Sequence, residues 1–210
     1  VVHEGFRQYS NAINVAPESS RPYFRKGELL IKNDLIDEAR KTITRGLEVD
    51  PESITGTLLL VKTMDSGEIM DNLENLISRF PESLQLKQII GSELVRDEPL
   101  KALELLGKEK WEDLMLRVQC HRSLSENEQA LAAAVKSIDL RPENIDGWIA
   151  AGWAAFDLGK YDESSDFFDS AMGCDMYCPD ALLGKASVLK KMGKDTSHYT
   201  QVLADLDLVI

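Results

Sequence analysis

In residues 146–171 the apolar and small residues follow the period of an α-helix, with one break at Gly159. On each side of the break they recur at intervals of three and four residues, which places each set on one face of a helix. We therefore predict two antiparallel helices that pack large residues against small ones. Because a Gly inside a helix costs about 1 kcal/mol relative to Ala, Gly152 indicates that another backbone approaches closely there. The two faces consist of Trp148, Ala151, Gly152 and Ala155, and of Ser164, Phe168 and Ala171.

This stretch resembles the tetratricopeptide repeat (TPR), a helix-turn-helix unit of about 34 residues. The aromatic and small residues of the two faces match the family's pattern, as do Gly159 in the turn and Tyr161 after it. Met176 stands where the family has Pro. The resemblance implies an all-α fold in which successive helix pairs stack on one another.

The repeat pattern extends over the whole chain. A period of 34 residues separates Pro17 from Pro51, and the same period separates Trp111 from Ile145 and Ile145 from Pro179. We predict a right-handed α-solenoid of about six TPR units that follow an N-terminal half repeat, and we expect the numbered sequence to be a fragment of a longer chain. The single domain covers 1–210, with the half repeat at about 1–19 and the units at about 20–53, 54–83, 84–110, 111–144, 145–178 and 179–210.

Local signals predict how several units are built. Asp97-Glu98-Pro99 is typical of a helix start, because Pro is tolerated in the first turn. Ser125-Glu126-Asn127-Glu128 fits a capping box, and Ser66-Gly67 predicts a turn between two helices. The units at 54–83 and 84–110 are shorter than the others and match the family more by pattern than by residue identity.

Composition and charge exclude several classes of partner. The formal charge of -12 argues against nucleic acid, because phosphate neutralisation requires clustered Lys and Arg. No apolar run approaches the roughly 20 residues needed to span a bilayer, so we expect no membrane insertion. The three cysteines and the lack of a secretion signal fit a reducing compartment, and we expect a cytoplasmic protein.

The sequence contains no motif for catalysis, nucleotide binding or metal binding. The three histidines, His3, His121 and His198, lie in different predicted repeats, which favours packing or surface roles. Cys174 and Cys178 are spaced so that they could share a helix face, which leaves a redox or metal-edge role as the alternative to small residues at a helix end. We predict no enzymatic activity, no cofactor and no metal site.

An acidic stripe runs along one predicted helix at Asp162, Asp166 and Asp169. Their spacing places the three carboxylates on one face. A solvated outer face is one interpretation of this stripe, and a docking strip for a basic partner is the other.

The TPR resemblance implies a concave groove, lined by the first helices of successive repeats, that holds peptides or extended protein segments. The helix from Trp148 to Phe156 is apolar on more than one face. Either both faces are buried against other helices of the protein, or one of them binds a partner. Packing between neighbouring repeats remains the alternative to partner docking. The basic residues that a chaperone-tail clamp requires are missing from the groove positions, so we do not expect chaperone tails as ligands. The predicted partner-binding residues are Ile149, Trp153, Phe156, Met115, Gln119, Arg122, Leu183 and Phe24.

Three functional hypotheses follow from the resemblance. The leading one is a non-catalytic interaction scaffold that holds a protein or peptide partner in the concave groove, with affinity supplied by shape and preorganisation. The second is a structural module that forms homo-oligomers through its open ends. The third is the regulatory or docking arm of a larger enzyme.

Overall fold

A computed structural model describes residues 2–205, and the side chains from residue 4 onward. The described residues form α-helices joined by short turns, and no strand occurs among them. The predicted all-α fold class is confirmed. The side chain of His3 and the segment after Asp205, which ends the predicted last repeat, lie outside the described residues.

The chain divides into two compact units, Val1–Asp97 and Glu98–Ile210. The boundary falls inside the predicted repeat at 84–110, between the two helices of that repeat. A single domain over the whole chain stays a prediction.

The described residues of the first unit form a single helix, two helix pairs and one further helix. They are α1 (Val2–Val15), α2 (Ser20–Lys32), α3 (Ile36–Val49), α4 (Ile54–Val61), α5 (Ser66–Arg79) and α6 (Leu84–Leu94).

The second unit begins with a short helix and continues with three regular pairs. Its helices are α7 (Pro99–Leu105), α8 (Trp111–Ser123), α9 (Asn127–Leu140), α10 (Ile145–Asp157), α11 (Tyr161–Cys174), α12 (Pro179–Lys191) and α13 (Ser197–Asp205). The helix start predicted at Asp97-Glu98-Pro99 is confirmed, because Pro99 occupies the first helical position of α7.

The core of the first unit forms where α2 packs against α3 and α4. Phe24 on α2 contacts Gly46 on α3 and Gly56 on α4, and a side chain at either Gly would overlap the ring. Ile43 contacts Gly27 in the same way and is fully buried. Because Gly leaves room for the large residue opposite it, each helix approaches its neighbour closely.

The core of the second unit is richer in Ala and includes one buried aromatic ring. Phe168 on α11 contacts Gly152 on α10 and Gly184 on α12, and it has no exposed surface. The hydroxyl of Ser164 donates a hydrogen bond of 2.7 Å to the carbonyl of Gly152. The groups that approach Gly152 most closely are therefore the ring of Phe168 and the hydroxyl of Ser164, both on α11.

Tight turns within the helix pairs use a left-handed residue. Gly159 and Gly193 have φ values of 74° and 69°, which Gly adopts without strain. Asp34 and Ser125 hold the same conformation at φ 59°. The capping box predicted at Ser125–Glu128 is wrong, because Ser125 closes the preceding turn and Glu126 caps α9 without a side-chain hydrogen bond.

The capping box in the first unit lies at the start of α5. Asp65 accepts a hydrogen bond of 2.8 Å from the amide of Glu68, and Glu68 accepts one of 3.2 Å from the amide of Asp65. The predicted turn at Ser66-Gly67 is wrong, since both residues belong to the first turn of α5. Pairing Asp65 with Glu68 satisfies two of the amides that a helix start leaves open.

Candidate functional site

An open groove on the second unit lies between the exposed faces of α8 and α10 and encloses about 600 Å³. The first turn of α12 contributes Asp180 to its edge. The lining residues are Trp111, Met115, Val118, Gln119, Arg122, Asp146, Ile149, Ala150, Trp153 and Asp180.

The spacing of residues along each helix explains why these side chains share one groove. On α8 the lining residues recur at intervals of three or four, from Trp111 to Arg122, and on α10 they recur in the same way from Asp146 to Trp153. The opposite faces of the two helices form the core, where Leu114 and Ala151 are buried. Each helix therefore has one face for packing and one for the groove.

The floor of the groove is apolar. Val118 and Ala150 are buried beneath it, with 3% and 9% of their surface exposed. Met115, Ile149 and Trp153 are half-buried and leave part of their side chains in the groove. Such a floor offers apolar surface that a ligand side chain could cover, which favours association.

Trp153 is held from behind by other aromatic rings. Its ring packs edge-on against Phe168 at 5.3 Å between centroids and against Phe156 at 5.7 Å. Phe156 in turn packs against Tyr161 at 5.6 Å. Because these contacts restrict the indole, its groove-facing part would lose little freedom when a ligand binds.

Charged groups stand at both ends of the floor. At the end where α8 and α10 finish, Arg122 forms an ion pair with Asp157 at 3.0 Å. At the end where α10 and α12 begin, Asp146 and Asp180 lie in the first turns of their helices. Both carboxylates are exposed, and the positive ends of the two helix dipoles favour negative charge there.

Trp111 stands at the start of α8, beside the groove. The guanidinium of Arg141 lies 4.9 Å from the centre of its ring, in a cation–π contact. Arg141 also forms an ion pair with Glu112 at 2.7 Å. The positive charge of Arg141 is therefore already engaged by groups of the protein itself.

The groove brings together five of the eight residues predicted to bind a partner. The five are Met115, Gln119, Arg122, Ile149 and Trp153.

The other three predicted residues lie elsewhere. Phe156 supports Trp153 from behind, and Leu183 is 38% exposed on α12 but does not line the groove. Phe24 belongs to the first unit, where it is only 6% exposed because it fills the space left by Gly46 and Gly56. A residue buried to this extent offers a partner little surface.

Sequence reasoning missed five lining residues: Trp111, Val118, Asp146, Ala150 and Asp180. Asp146 and Asp180 had a usable signal, because each is the second residue of a predicted repeat and the two are separated by one repeat period. Val118 and Ala150 had none, since a small or apolar residue at these positions fits the core equally well.

A smaller groove on the first unit, of about 350 Å³, lies between α2 and α4. Its charged residues are partly engaged: Glu28 accepts hydrogen bonds from Arg25 at 3.1 Å and from Lys32 at 3.0 Å. The bond from Lys32 is the main reason why the pKa of Glu28 lies below its usual value. The groove is lined by Ser20, Arg21, Phe24, Arg25, Glu28, Ser53, Thr55 and Leu59.

The described residues contain no cluster of His, Cys, Asp or Glu that could hold a metal ion. Cys120 is buried, and burial raises the pKa of its thiol, which lowers its reactivity. Cys174 and Cys178 are free thiols at the end of α11 and just before α12. Within residues 2–205, no helix is both long and apolar enough to cross a bilayer.

Residues 20–53 match the sequence model of the tetratricopeptide repeat. Residues 20–53 are thus a tetratricopeptide repeat. The match covers α2, the turn at Asp34 and α3, which is the first complete helix pair of the chain. The TPR resemblance inferred from the sequence is confirmed by this match. No curated protein matches the chain in sequence.

Several solved structures share the all-helical fold of this chain. PilW, a widely conserved type IV pilus biogenesis factor, is 14% identical with a TM-score of 0.73, over 90% of this chain and 94% of PilW. PilF of Pseudomonas aeruginosa is 16% identical with a TM-score of 0.68, over 90% of this chain and 92% of PilF. The Cut9–Hcn1 hetero-tetramer of APC/C contains a chain that is 14% identical with a TM-score of 0.68, over 97% of this chain and 43% of that one. At these identities the likeness establishes the fold.

Proposed function

We propose that this TPR protein is a non-catalytic scaffold that holds a protein partner, by binding a peptide segment in the groove between α8 and α10. The observation that carries the proposal is the apolar floor of Met115, Ile149 and Trp153, which remains partly exposed although the opposite faces of the same helices are packed. The TPR fold of the chain and its likeness to Cut9, which is solved in complex with Hcn1, support the same role.

The groove has the properties expected of a peptide site. Its floor lies on two helices, which hold it more rigidly than a loop would. Trp153 is a typical interface anchor, since Trp is enriched among the residues that dominate binding energy. A preformed groove binds without first ordering itself, so more of the contact energy appears as affinity.

The test is selection of binders from a random peptide library displayed on phage, followed by affinity measurements on the selected peptides. Ile149→Glu places a charge on the floor and is expected to weaken binding at least about tenfold, because a buried apolar contact is replaced by a desolvated carboxylate. We prefer Ile149 to Trp153 as the tested residue, since Trp153 also packs against Phe168.

The matched control is Val135→Glu on α9. Val135 is also a β-branched residue in a helix of the second unit, it is 38% exposed, and it does not line the groove. Circular dichroism checks that both variants keep the helix content of the wild type. Equal binding of the selected peptides by wild type and Ile149→Glu would rule out the groove as the binding site.

A further inference from the structure

We propose that the segment bound in this groove is cationic: an apolar side chain rests on the floor, and an adjacent Lys or Arg is held by Asp146 and Asp180. This inference rests on the proposed function and specifies the chemistry of the partner. It comes from the charges at the two ends of the groove.

Asp146 and Asp180 occupy equivalent positions in successive repeats. Each is the second residue of the first helix of its repeat, and both side chains line the same end of the groove. Glu112 holds the same position one repeat earlier, at the second residue of α8. The three successive first helices of the second unit therefore present a carboxylate at the same place.

An ion pair within the protein neutralises the first of these carboxylates, whereas the next two carboxylates are not neutralised in this way. Glu112 is paired with Arg141 at 2.7 Å. Within the described residues, Asp146 and Asp180 have no Lys, Arg or His within ion-pair distance. Their charges remain available to a ligand, and they face the groove in which the ligand would lie.

Among the described residues that line the groove, Arg122 is the one cation, and it is already paired. Arg122 lies at the opposite end of the floor, and its guanidinium contacts Asp157 at 3.0 Å. An acidic segment would therefore meet two unpaired carboxylates and no free cation in the groove, in a chain of formal charge -12. Like-charge contact disfavours such a segment, whereas a Lys or Arg next to an apolar anchor meets complementary charge.

The experiment repeats the peptide selection with the full chain and with Asp146→Asn/Asp180→Asn. We expect the wild type to enrich peptides that combine aromatic or aliphatic residues with Lys or Arg. The double variant should enrich apolar peptides without this cationic preference. A selected cationic peptide should bind the double variant about fivefold more weakly at low salt, in line with the modest strength of exposed ion pairs. The difference should shrink at high salt, because exposed charges are screened.

The control is Asp162→Asn/Asp166→Asn, which removes the same number of charges from the exposed face of α11, away from the groove. We expect this variant to bind the selected peptide as the wild type does. An equal loss in both double variants would mean that only the net charge matters, and would overturn the inference.

The proposed function and this inference fail in different ways. If wild type and the Asp146/Asp180 variant enrich the same proportion of Lys and Arg, the cationic preference is wrong, while loss of binding in Ile149→Glu still supports the groove. If Ile149→Glu keeps all selected peptides, the groove itself is wrong, and any cationic preference belongs to another surface.

Discussion

At the scale of single residues, each unit is organised by a large ring that packs against two glycines. Phe24 contacts Gly46 and Gly56 in the first unit, and Phe168 contacts Gly152 and Gly184 in the second. In both cases the ring and the two glycines come from three different helices. The glycines are thus required by packing, whereas Gly159 is required by its turn.

We predict that Gly184→Ala lowers the free energy of unfolding by about 1–3 kcal/mol, because the new methyl group overlaps the fully buried ring of Phe168. Gly173→Ala is the matched control: it is also inside a helix, and a side-chain carbon there meets nothing within 4 Å. It should raise stability by about 0.5 kcal/mol, since Ala is the better helix former. Chemical denaturation measures both changes, and equal effects would contradict the packing role of Gly184.

At the scale of helices, α3 and α5 are tied together by one ion pair. Arg40 on α3 donates hydrogen bonds of 2.6 and 2.7 Å to the two carboxylate oxygens of Glu68. The same guanidinium donates to the carbonyl of Thr63, which precedes α5. Glu68 also belongs to the capping box with Asp65, so a single carboxylate both starts α5 and fixes it to α3.

We predict that Glu68→Gln destabilises the protein at pH 7 and that the difference from wild type shrinks in acid. The hydrogen bonds from Arg40 lower the pKa of Glu68 below its usual value. A lowered pKa in the folded state contributes stability above the unfolded pKa, about 4.3, and this contribution is lost as the pH falls through the folded pKa. Denaturation as a function of pH measures the difference between the two proteins.

The control for this experiment is Glu74→Gln, on the same helix. Glu74 is exposed and forms no ion pair within the part of the chain that the structure describes. Its replacement should change stability little at either pH. A Glu68→Gln deficit that stays constant down to acidic pH would show that the ionised carboxylate is not what stabilises α5.

At the scale of the whole molecule, the chain consists of two compact units, each with its own core. In repeat proteins stability arises mainly within repeats and between neighbouring repeats, so a substitution in one part need not unfold the rest.

We predict that Phe168→Ala lowers the free energy of unfolding by about 3–5 kcal/mol, because it leaves a cavity at a fully buried site. We expect faster hydrogen exchange in α10–α12, with α2 and α3 keeping their protection.

The reciprocal variant is Leu30→Ala in the first unit, where Leu30 is 2% exposed. It should accelerate exchange in α2 and α3 and leave α10–α12 protected. If either variant accelerates hydrogen exchange equally throughout the chain, the two units unfold together, and the prediction that each substitution affects only its own unit is wrong.

The periodic part of the architecture could be predicted from the sequence alone. Apolar spacing indicates helices because 3.6 residues complete a turn, and the period of about 34 residues predicts where the regular pairs begin. Gly159 in a turn and Pro99 at a helix start follow from local backbone preferences in the same way. The sequence also predicted that Met115, Ile149 and Trp153 share one face of successive first helices.

Only the tertiary structure decided which apolar residues are buried in the core and which remain exposed. The sequence predicted that Phe24 and Ile149 both face the groove. In the structure Phe24 is buried against two glycines of other helices, whereas Ile149 is half-buried on the floor of the groove between α8 and α10. The ion pairs of Glu68 with Arg40 and of Glu112 with Arg141 likewise join residues that are 28 and 29 positions apart in the sequence. Local spacing sets the face on which a side chain lies, but burial and charge pairing depend on the helix that packs opposite.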